Sequence, residues 1–481
     1  MHRTKNADIK HHMQLLRQQF AQARGDQSDP IDCAFEPEEM AQILDQEIGP
    51  YRTRIYPPLV TLRLFIDQIL CADHACQDVV GRRLSQRVAD GQSPCSLNSG
   101  PYCKARKRLP LRLPQRLCRH LGACLEPFAA SQWGWRGRSV KLFDATSVSM
   151  PDTPQNQTAW PQSGRQKPGL GFPVARIGAL ISLASGAVID YALAPMKGKN
   201  SGEQTLLRQL AANLHEGDIL LADALHSTWW ALNMLARQGV DVVMAHDGRR
   251  TVDFSAGRVL GHCDHLVWWP KPKRAGWVSK ADYEQMPLGI WVREVRVGDQ
   301  MVVSTLSEPS QVTPGQLAAL YAMRWNIEVD FRALKATMNM DVLRCMSPAM
   351  VKKEIAVYLL TYNLVRWAMA RAARLAQVPA RALSFAGARR LICNFAGHLQ
   401  RRTYADTDYL AAALLQSIAW CKLPKRPQRI EPRAKKRRPK PLPLLGVDPI
   451  SRTPYCSTIR SPRCPNRIPP SRRTRRHFVN S

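Results

Sequence analysis

The chain has 481 residues, 45% of them hydrophobic, and a formal net charge of +31 with a pI near 10.1. This length predicts roughly three domains with sizeable cores, and the charge predicts attraction to phosphate polymers. An enzyme that acts only on small phosphates does not need this excess of Lys and Arg. The longest apolar segment, 355–365, is well short of the ~20 residues that span a membrane.

The cysteines show no disulfide framework and no zinc knuckle. Thirteen are present, an odd number, and none forms a Cys-x-x-Cys pair. We therefore expect reduced, mostly buried thiols in a cytoplasmic protein. The segment His262-Cys263-Asp264-His265 is a weak candidate for a metal site, because four adjacent residues do not easily converge on one ion.

Residues 1–135 are predicted to form a helical N-terminal domain that binds DNA. A helix start is expected at Pro37, where acids follow in the first turn and suit the helix dipole. A dense basic run follows, and it is either a solvated face or a surface that tracks phosphates; the total charge favours the second. The run comprises Lys104, Arg106, Lys107, Arg108, Arg112 and Arg116.

Residues 136–247 are typical of an α/β domain with a mixed sheet. Three apolar strands are predicted first, and Ser185-Gly186 marks a hairpin between the second and third. A helix near 203–214, a strand that ends at Asp223, a helix at 229–238 and a strand at 240–245 complete the pattern.

The C-terminal half is predicted to contain four further regions. Residues 248–316 alternate in hydrophobicity and are rich in Trp and Val, which favours a β-rich insertion. Residues 317–400 continue the α/β core with a long apolar helix at about 348–375, and 401–445 add a C-terminal helix and a basic segment. Residues 446–481 are predicted to be a disordered basic tail.

One helical stripe carries the most informative pattern in the chain. Tyr321, Arg324, Glu328 and Lys335 lie at offsets of three, seven and fourteen. On a regular helix these positions fall within an arc of roughly 60°. One carboxylate beside two cations and a phenol suits a metal ion next to an anionic polymer.

Two further acids interrupt or end apolar strands. Asp144 lies inside the first predicted strand and Asp223 ends a later one. Together with Glu328 they could hold two Mg²⁺ ions ~3.5–4 Å apart, as in-line phosphoryl displacement requires. Each acid has an ordinary alternative: Asp144 could cap a turn, Asp223 could be a helix N-cap and Glu328 could be a surface residue. The competing acids are Asp152, Asp190 and Asp218.

These residues resemble a known family. The chain is similar to DDE transposases of the insertion-sequence-four family, whose signature Tyr-x2-Arg-x3-Glu-x6-Lys is matched at every position from Tyr321 to Lys335. Asp144-Ala145-Thr146 resembles the first acidic motif, and Asp223 resembles the second. The similarity spans about 59–445, including the basic segment 436–440. The family often places an Arg and an aromatic residue after the second acid, where this chain has Ala224-Leu225-His226.

The resemblance implies an RNase H-like catalytic core and cut-and-paste DNA transposition. Asp144, Asp223 and Glu328 would be the catalytic residues and the ligands of two Mg²⁺ ions, for which Mn²⁺ may substitute. The positions Tyr321, Arg324 and Lys335 would bind DNA. The partners would be double-stranded DNA, as terminal inverted repeats and target, and a second copy of the chain in a homodimer at the bacterial nucleoid.

The resemblance also implies a tryptophan that holds a flipped base while a DNA hairpin forms. The candidates are Trp268, Trp269, Trp277 and Trp291, and for any one of them a core role is the better interpretation. Two alternatives to a transposase remain open from the sequence. One is an RNase H-like metal-dependent nuclease that cuts without joining, and the other is a catalytically silent DNA-binding relative.

Overall fold

The computed structural model describes residues 37–48, 54–71, 73–164, 166–167, 169–399 and 404–424. The tail 446–481, the basic segment 436–440 and the first 36 residues lie outside this part. Contacts divide the chain into one large unit, 1–164 with 172–432, and a small unit, 165–171 with 433–481. In the small unit, Leu170 donates its backbone N–H to the Lys167 carbonyl at 3.2 Å.

The N-terminal region contains five helices in its described part. Pro58 begins the second of them and Pro114 lies in the first turn of the fifth, where a missing N–H is tolerated. The fifth helix buries Leu113, Leu117 and Leu121 at a spacing of four, and this stripe packs against the sheet and the long C-terminal helix. The helices are α1 (Pro37–Glu47), α2 (Pro58–Leu70), α3 (Cys76–Ala89), α4 (Gly100–Arg108) and α5 (Arg112–Trp133).

A mixed sheet of nine strands forms the centre of the described structure. Its spatial order is β3-β2-β1-β4-β5-β9-β8-β7-β6, with β1, β4 and β5 parallel and every other neighbouring pair antiparallel. The strands are β1 (Val140–Ser149), β2 (Val174–Ser182), β3 (Val188–Pro195), β4 (Ile219–Ala222), β5 (Asp241–Ala245), β6 (Arg258–Gly261), β7 (Asp264–Pro270), β8 (Gly289–Val297) and β9 (Gln300–Ser304).

Helices cover both faces of this sheet. One face buries the apolar sides of α7 and α8, and the other packs against α5 and the C-terminal helices. This mixed sheet with flanking helices fits an RNase H-like fold. The helices after α5 are α6 (Pro154–Ala159), α7 (Glu203–Leu210), α8 (Trp229–Ala236), α9 (Lys280–Glu284), α10 (Pro314–Ala322), α11 (Asn326–Arg332), α12 (Pro348–Leu375), α13 (Phe385–Leu399) and α14 (Tyr404–Trp420).

Residues 258–304 contribute four strands to the same sheet. β9 pairs with β5, and β8, β7 and β6 follow outward, so these strands extend the central sheet. The alternation at 290–297 and 301–305 predicts β8 and β9. It does not predict β6, whose short segment Arg258-Val-Leu-Gly261 is almost wholly exposed and therefore has no apolar face.

The signature segment is helical but is not one regular helix. After α10, residues Met323–Trp325 form a 3-10 turn, α11 follows, and Ala333–Thr337 form a π turn. The predicted 60° arc assumed a constant 100° per residue, which the 3-10 and π turns do not keep. Arg324, Glu328 and Lys335 nevertheless line one cavity. Turns of this kind recur at functional sites because they re-aim side chains.

The long helix α12 has the bounds that its apolar periodicity predicts. It runs for 28 residues and buries most of its circumference. Asn363 is buried within it and accepts the Val188 N–H at 2.8 Å while donating to the Val188 and Cys118 carbonyls. This amide fixes α12 to β3 and α5. In the described residues, no helix combines the length and the apolar character that crossing a bilayer would require.

Candidate active site

Asp144, Asp223 and Glu328 line one cavity of about 440 Å³. Asp144 lies in the middle of β1, Asp223 directly follows β4, and Glu328 lies in the first turn of α11. Arg324 and Lys335 line the same cavity, and Tyr321 lies one turn before Arg324 and is half-buried. The structure thus brings the three predicted acids together with both cations of the signature.

The strand register explains why the two aspartates meet. Leu142 of β1 is paired with Leu221 of β4, and the two strands are parallel. Asp144 and Asp223 each lie two residues further on, so they stand at the same level, where β4 ends and its pairing with β1 stops. Side chains at this edge of a parallel sheet face the crevice in which ligands bind.

Burial and neighbouring negative charge raise the pKa of Asp144. Desolvation is the largest cause, Asp223 and Glu328 add to it, and together they raise the pKa to about 6. Two contacts oppose this increase: the Ala145 N–H donates to Oδ1 at 2.7 Å, and Arg324 Nη1 lies 3.4 Å from Oδ2. The cavity therefore holds negative charge that the surrounding protein does not fully compensate.

This pKa predicts that metal-free protein is destabilised as the pH rises. The folded-state pKa of Asp144 lies above its ordinary value of 3.8, so the folded chain binds this proton more tightly than the unfolded chain. The free energy of unfolding should then fall between about pH 4 and pH 6 by an amount on the order of 1–3 kcal/mol. Asp144→Asn should remove this slope and stabilise the protein at pH 8 in urea unfolding with EDTA. An unchanged slope in the variant would contradict the assignment.

Asp223 lies at the start of a 3-10 turn, Ala224–His226. Its Oδ1 accepts the Leu225 N–H at 3.1 Å, so the alternative role as an N-cap is also correct. The side chain of Asp223 remains 38% exposed towards the cavity, whereas His226 in the same turn is fully buried. Capping fixes the backbone of the turn and leaves the carboxylate available at the surface of the cavity.

Glu328 is held in place by a buried carboxylate two residues further along α11. Asp330 has no exposed surface and binds two guanidinium groups, those of Arg366 from α12 and Arg381. Arg381 also donates to the carbonyls of Ser182 and Leu183 at the end of β2. Within the described residues, Glu328 itself makes no ion pair. Asp330 therefore anchors α11 to the sheet while Glu328 faces the cavity.

Both signature cations are paired with acids in this structure. Arg324 lies beside Asp144, and Lys335 Nζ is 3.0 Å from Asp341 Oδ1. Tyr321 is partly buried, and desolvation raises its pKa, so its phenol is neutral and can donate a hydrogen bond.

Besides the five predicted site residues and Ala145, four more residues line the cavity. Trp325 is 59% exposed, and Arg332 adds a third cation near the three acids. Both lie inside the signature segment, and this position is the feature of the sequence that could have identified them. The other two are Thr146 and Phe331.

The competing acids are engaged elsewhere. Asp218 forms a buried ion pair with Lys141, and Asp190 accepts from Arg119 and Asn213. Asp152 accepts a hydrogen bond from Gln157 at 2.8 Å on the surface. None of these three lines the cavity.

The donor set suits a hard divalent cation. Three carboxylates around one polar cavity supply the oxygen ligands that Mg²⁺ prefers, and the raised pKa of Asp144 marks negative charge that a cation would neutralise. In the described part of the chain, however, no three His, Cys, Asp or Glu side chains already stand in an arrangement that could hold an ion. The chemistry fits, and the side chains must move closer to share a cation.

The His262–His265 segment is not a metal site in the described structure. Asp264 forms a buried bidentate pair with Arg293, and His265 lies between the Ala256 carbonyl and Glu294. These contacts stabilise the pairing of β7 with β8.

Arg106, predicted as part of a phosphate-tracking run, turns inward: it donates to Gln68 at 2.9 Å.

None of the four candidate tryptophans lines the cavity that contains the three acids. Trp269 is buried and donates to Glu294, and Trp277 packs on Arg208. Trp268 and Trp291 form an exposed cross-strand pair. The register of β4, β5, β9 and β8 places Val295 at the same level of the sheet as Asp223. Trp291 lies four residues before Val295 and is therefore about 13 Å from that level along the strand direction.

Comparison with known proteins agrees with this site. The family described as transposase DDE domain matches residues 135–364, a range that contains all three acids and the whole signature. Residues 135–364 of this chain are therefore similar to the catalytic domain of DDE transposases.

A named relative narrows the class. Transposase InsG for insertion sequence element IS4, from Escherichia coli strain K12, is 27% identical over 311 residues, which cover 63% of this chain and 69% of the relative. The resemblance drawn from the sequence is confirmed: the chain is similar to DDE transposases of the insertion-sequence-four type. A solved structure, the piggyBac transposase synaptic complex with hairpin DNA, aligns over 82% of this chain and 86% of the piggyBac chain. Its TM-score of 0.42 and sequence identity of 9% are too low to support any statement about this protein.

Proposed function

We propose that this transposase moves its insertion sequence by a cut-and-paste route. It nicks the element's ends, forms and opens a hairpin at each end, and joins the freed end to target DNA. Asp144, Asp223 and Glu328 are the catalytic carboxylates. The observation that carries this proposal is the single cavity in which these three acids, Arg324 and Lys335 meet.

The carboxylates hold the divalent cations, which we propose to be two Mg²⁺ ions, with Mn²⁺ as a substitute. When bound, these ions supply positive charge to the attacking and leaving oxygens of a phosphoryl transfer. Asp144 and Asp223 extend from the rigid sheet and Glu328 from the anchored helix α11. The protein therefore fixes the ligands on separate elements, and this preorganisation is its main contribution to phosphoryl transfer.

The cations of the signature bind the DNA backbone. The guanidinium of Arg324 can contact a phosphate through two N–H groups, and Lys335 acts as a point charge. Tyr321 donates a hydrogen bond to the same strand. Since Arg324 and Lys335 are each paired with an acid in the free protein, DNA phosphates must displace these acids on binding.

This competition predicts that Asp341→Asn strengthens DNA binding. Asp341 is 60% exposed and lies outside the cavity, so its loss frees Lys335 without removing a proposed ligand. We expect the dissociation constant for a duplex to fall about two- to fivefold at low salt, because one exposed ion pair is worth at most ~1 kcal/mol. Fluorescence anisotropy at two salt concentrations measures this, with Asp282→Asn as the control. Equal or weaker binding by Asp341→Asn would contradict the competition.

The remaining proposals concern organisation. We propose that residues 1–135 bind the terminal inverted repeats and that two copies of the chain act together on paired ends. We also propose that 136–247 and 317–400 form the catalytic core, that 248–316 are an insertion into it, and that 401–445 and 446–481 add basic segments. The charge of +31 supports contacts with DNA at many points along the chain.

Product analysis separates this function from its alternatives. Purified chain is incubated with a duplex that carries the element's end, with Mg²⁺ and with a target plasmid. Hairpin ends and joined products support the transposase mechanism, whereas nicks alone support an RNase H-like nuclease. Binding without any cleavage, under conditions where Mn²⁺ is also inactive, would indicate a silent DNA-binding relative.

A further inference from the structure

His226 is an unusual residue beside the proposed site. It ends the turn that starts at Asp223, has no exposed surface, and neither of its ring nitrogens has a hydrogen-bond partner within the described structure. A buried polar group without a partner is destabilising, so it calls for an explanation. Ser227 Oγ and Trp229 Nε1, which follow directly, are buried without partners as well.

The imidazole lies close to both segments that carry the aspartates. Its Nε2 is 3.5 Å from Asp223 Oδ1, slightly beyond hydrogen-bond geometry. The ring meets Phe143 edge-on, with centroids 4.9 Å apart and an angle of 88° between the planes. Phe143 directly precedes Asp144 in β1, so one side chain contacts Asp223 and the residue next to Asp144.

We propose that His226 is a positioning residue for Asp223. In the active state, Nε2–H donates to the Asp223 carboxylate and sets the direction in which that carboxylate faces the cavity. This inference rests on the proposed function of Asp223. A movement of roughly half an ångström brings the two atoms to the usual N–H···O distance of about 2.9 Å. Carboxylates that bind metals are commonly held by such outer hydrogen bonds.

The competing explanation is packing alone, in which the ring only fills space against Phe143. Two substitutions separate the two roles. The amide of His226→Gln reaches the position of Nε2 and keeps the donor, whereas His226→Phe keeps an aromatic ring but has no donor. A positioning role ranks Gln above Phe, and a packing role ranks Phe above Gln.

The experiment measures Mn²⁺ binding to the full chain in complex with an end-containing duplex, from the electron paramagnetic resonance signal of free Mn²⁺. We expect His226→Phe to weaken Mn²⁺ binding about 10- to 100-fold and His226→Gln to stay within about threefold of wild type. Melting in EDTA checks folding. If His226→Phe does not fold, His226→Met serves as the donor-free variant.

The outcomes distinguish this inference from the proposed function. Suppose that the wild-type complex binds Mn²⁺, that Asp223→Asn abolishes this binding and that His226→Phe leaves it unchanged. This result would overturn the positioning role of His226 and leave the proposed metal chemistry in place. The reverse ranking, with Gln weaker than Phe, would also overturn it. A wild-type complex that binds no Mn²⁺ would overturn the proposed metal chemistry, and the role of His226 with it.

Discussion

Glu328→Gln should reduce strand cleavage by a factor of about 10³ or more, which corresponds to about 4 kcal/mol of transition-state stabilisation. The substitution keeps the size of the side chain and removes its negative charge. DNA binding should change by less than about threefold, because the glutamate holds cations and does not contact phosphates. Cleavage of a labelled end duplex and anisotropy of the same duplex measure the two quantities.

The matched control is Glu284→Gln. Glu284 is exposed on α9, where it pairs with Lys280 at 3.8 Å, and it lies outside the cavity. This variant should cleave at the wild-type rate. If Glu328→Gln lost binding as strongly as cleavage, the purely catalytic assignment of Glu328 would be incorrect.

Asp330→Asn should destabilise the protein by about 3–5 kcal/mol, the usual cost of removing one partner of a buried ion pair. Asp330 has no exposed surface and accepts from both Arg366 and Arg381. The substitution leaves two guanidinium groups beside a neutral amide in the core. Urea unfolding measures the loss, which should appear as a lower midpoint.

Two comparisons test this second prediction. Asp78→Asn removes an exposed ion pair with Arg82 and should cost no more than about 1 kcal/mol. Combining Asp330→Asn with Arg381→Met should cost less than the sum of the single changes, because the residues share one network. A loss below about 1 kcal/mol for Asp330→Asn would show that the network does not anchor α11.

Much of the fold follows from local patterns in the sequence. The apolar periodicity of 348–375 predicts α12 with its observed ends, and Ser185-Gly186 predicts the hairpin between β2 and β3. At Gly186 the backbone has φ +75, which glycine adopts without strain. Such features depend on neighbouring residues, which is why the sequence alone predicts them.

The acids of the cavity are also visible in the sequence, but for a different reason. A carboxylate within or directly after an apolar strand is costly unless it has a partner or a cation, so Asp144 and Asp223 stand out. Their equal level in the sheet follows from the pairing of β1 with β4, which no local pattern specifies. Glu328 was grouped with them through its place on the helical stripe with Arg324 and Lys335, and the resemblance to the family supported that grouping.

Long-range contacts were not predictable. Asp330 lies 36 residues from Arg366 and 51 from Arg381, and nothing in its neighbourhood signals either partner. The inward turn of Arg106 depends on Gln68 and Phe65, which it contacts on the neighbouring helix α2. The π turn at Ala333–Thr337 contains no Gly or Pro that would mark it.

The central claim is that Asp144, Asp223 and Glu328 together hold divalent cations next to bound DNA. Crystals of the chain with an end duplex and Mn²⁺, measured at a wavelength where manganese scatters anomalously, test it most directly. We predict anomalous peaks within coordination distance of all three carboxylates. Peaks elsewhere, or carboxylates that remain without a metal while DNA is bound, would contradict it.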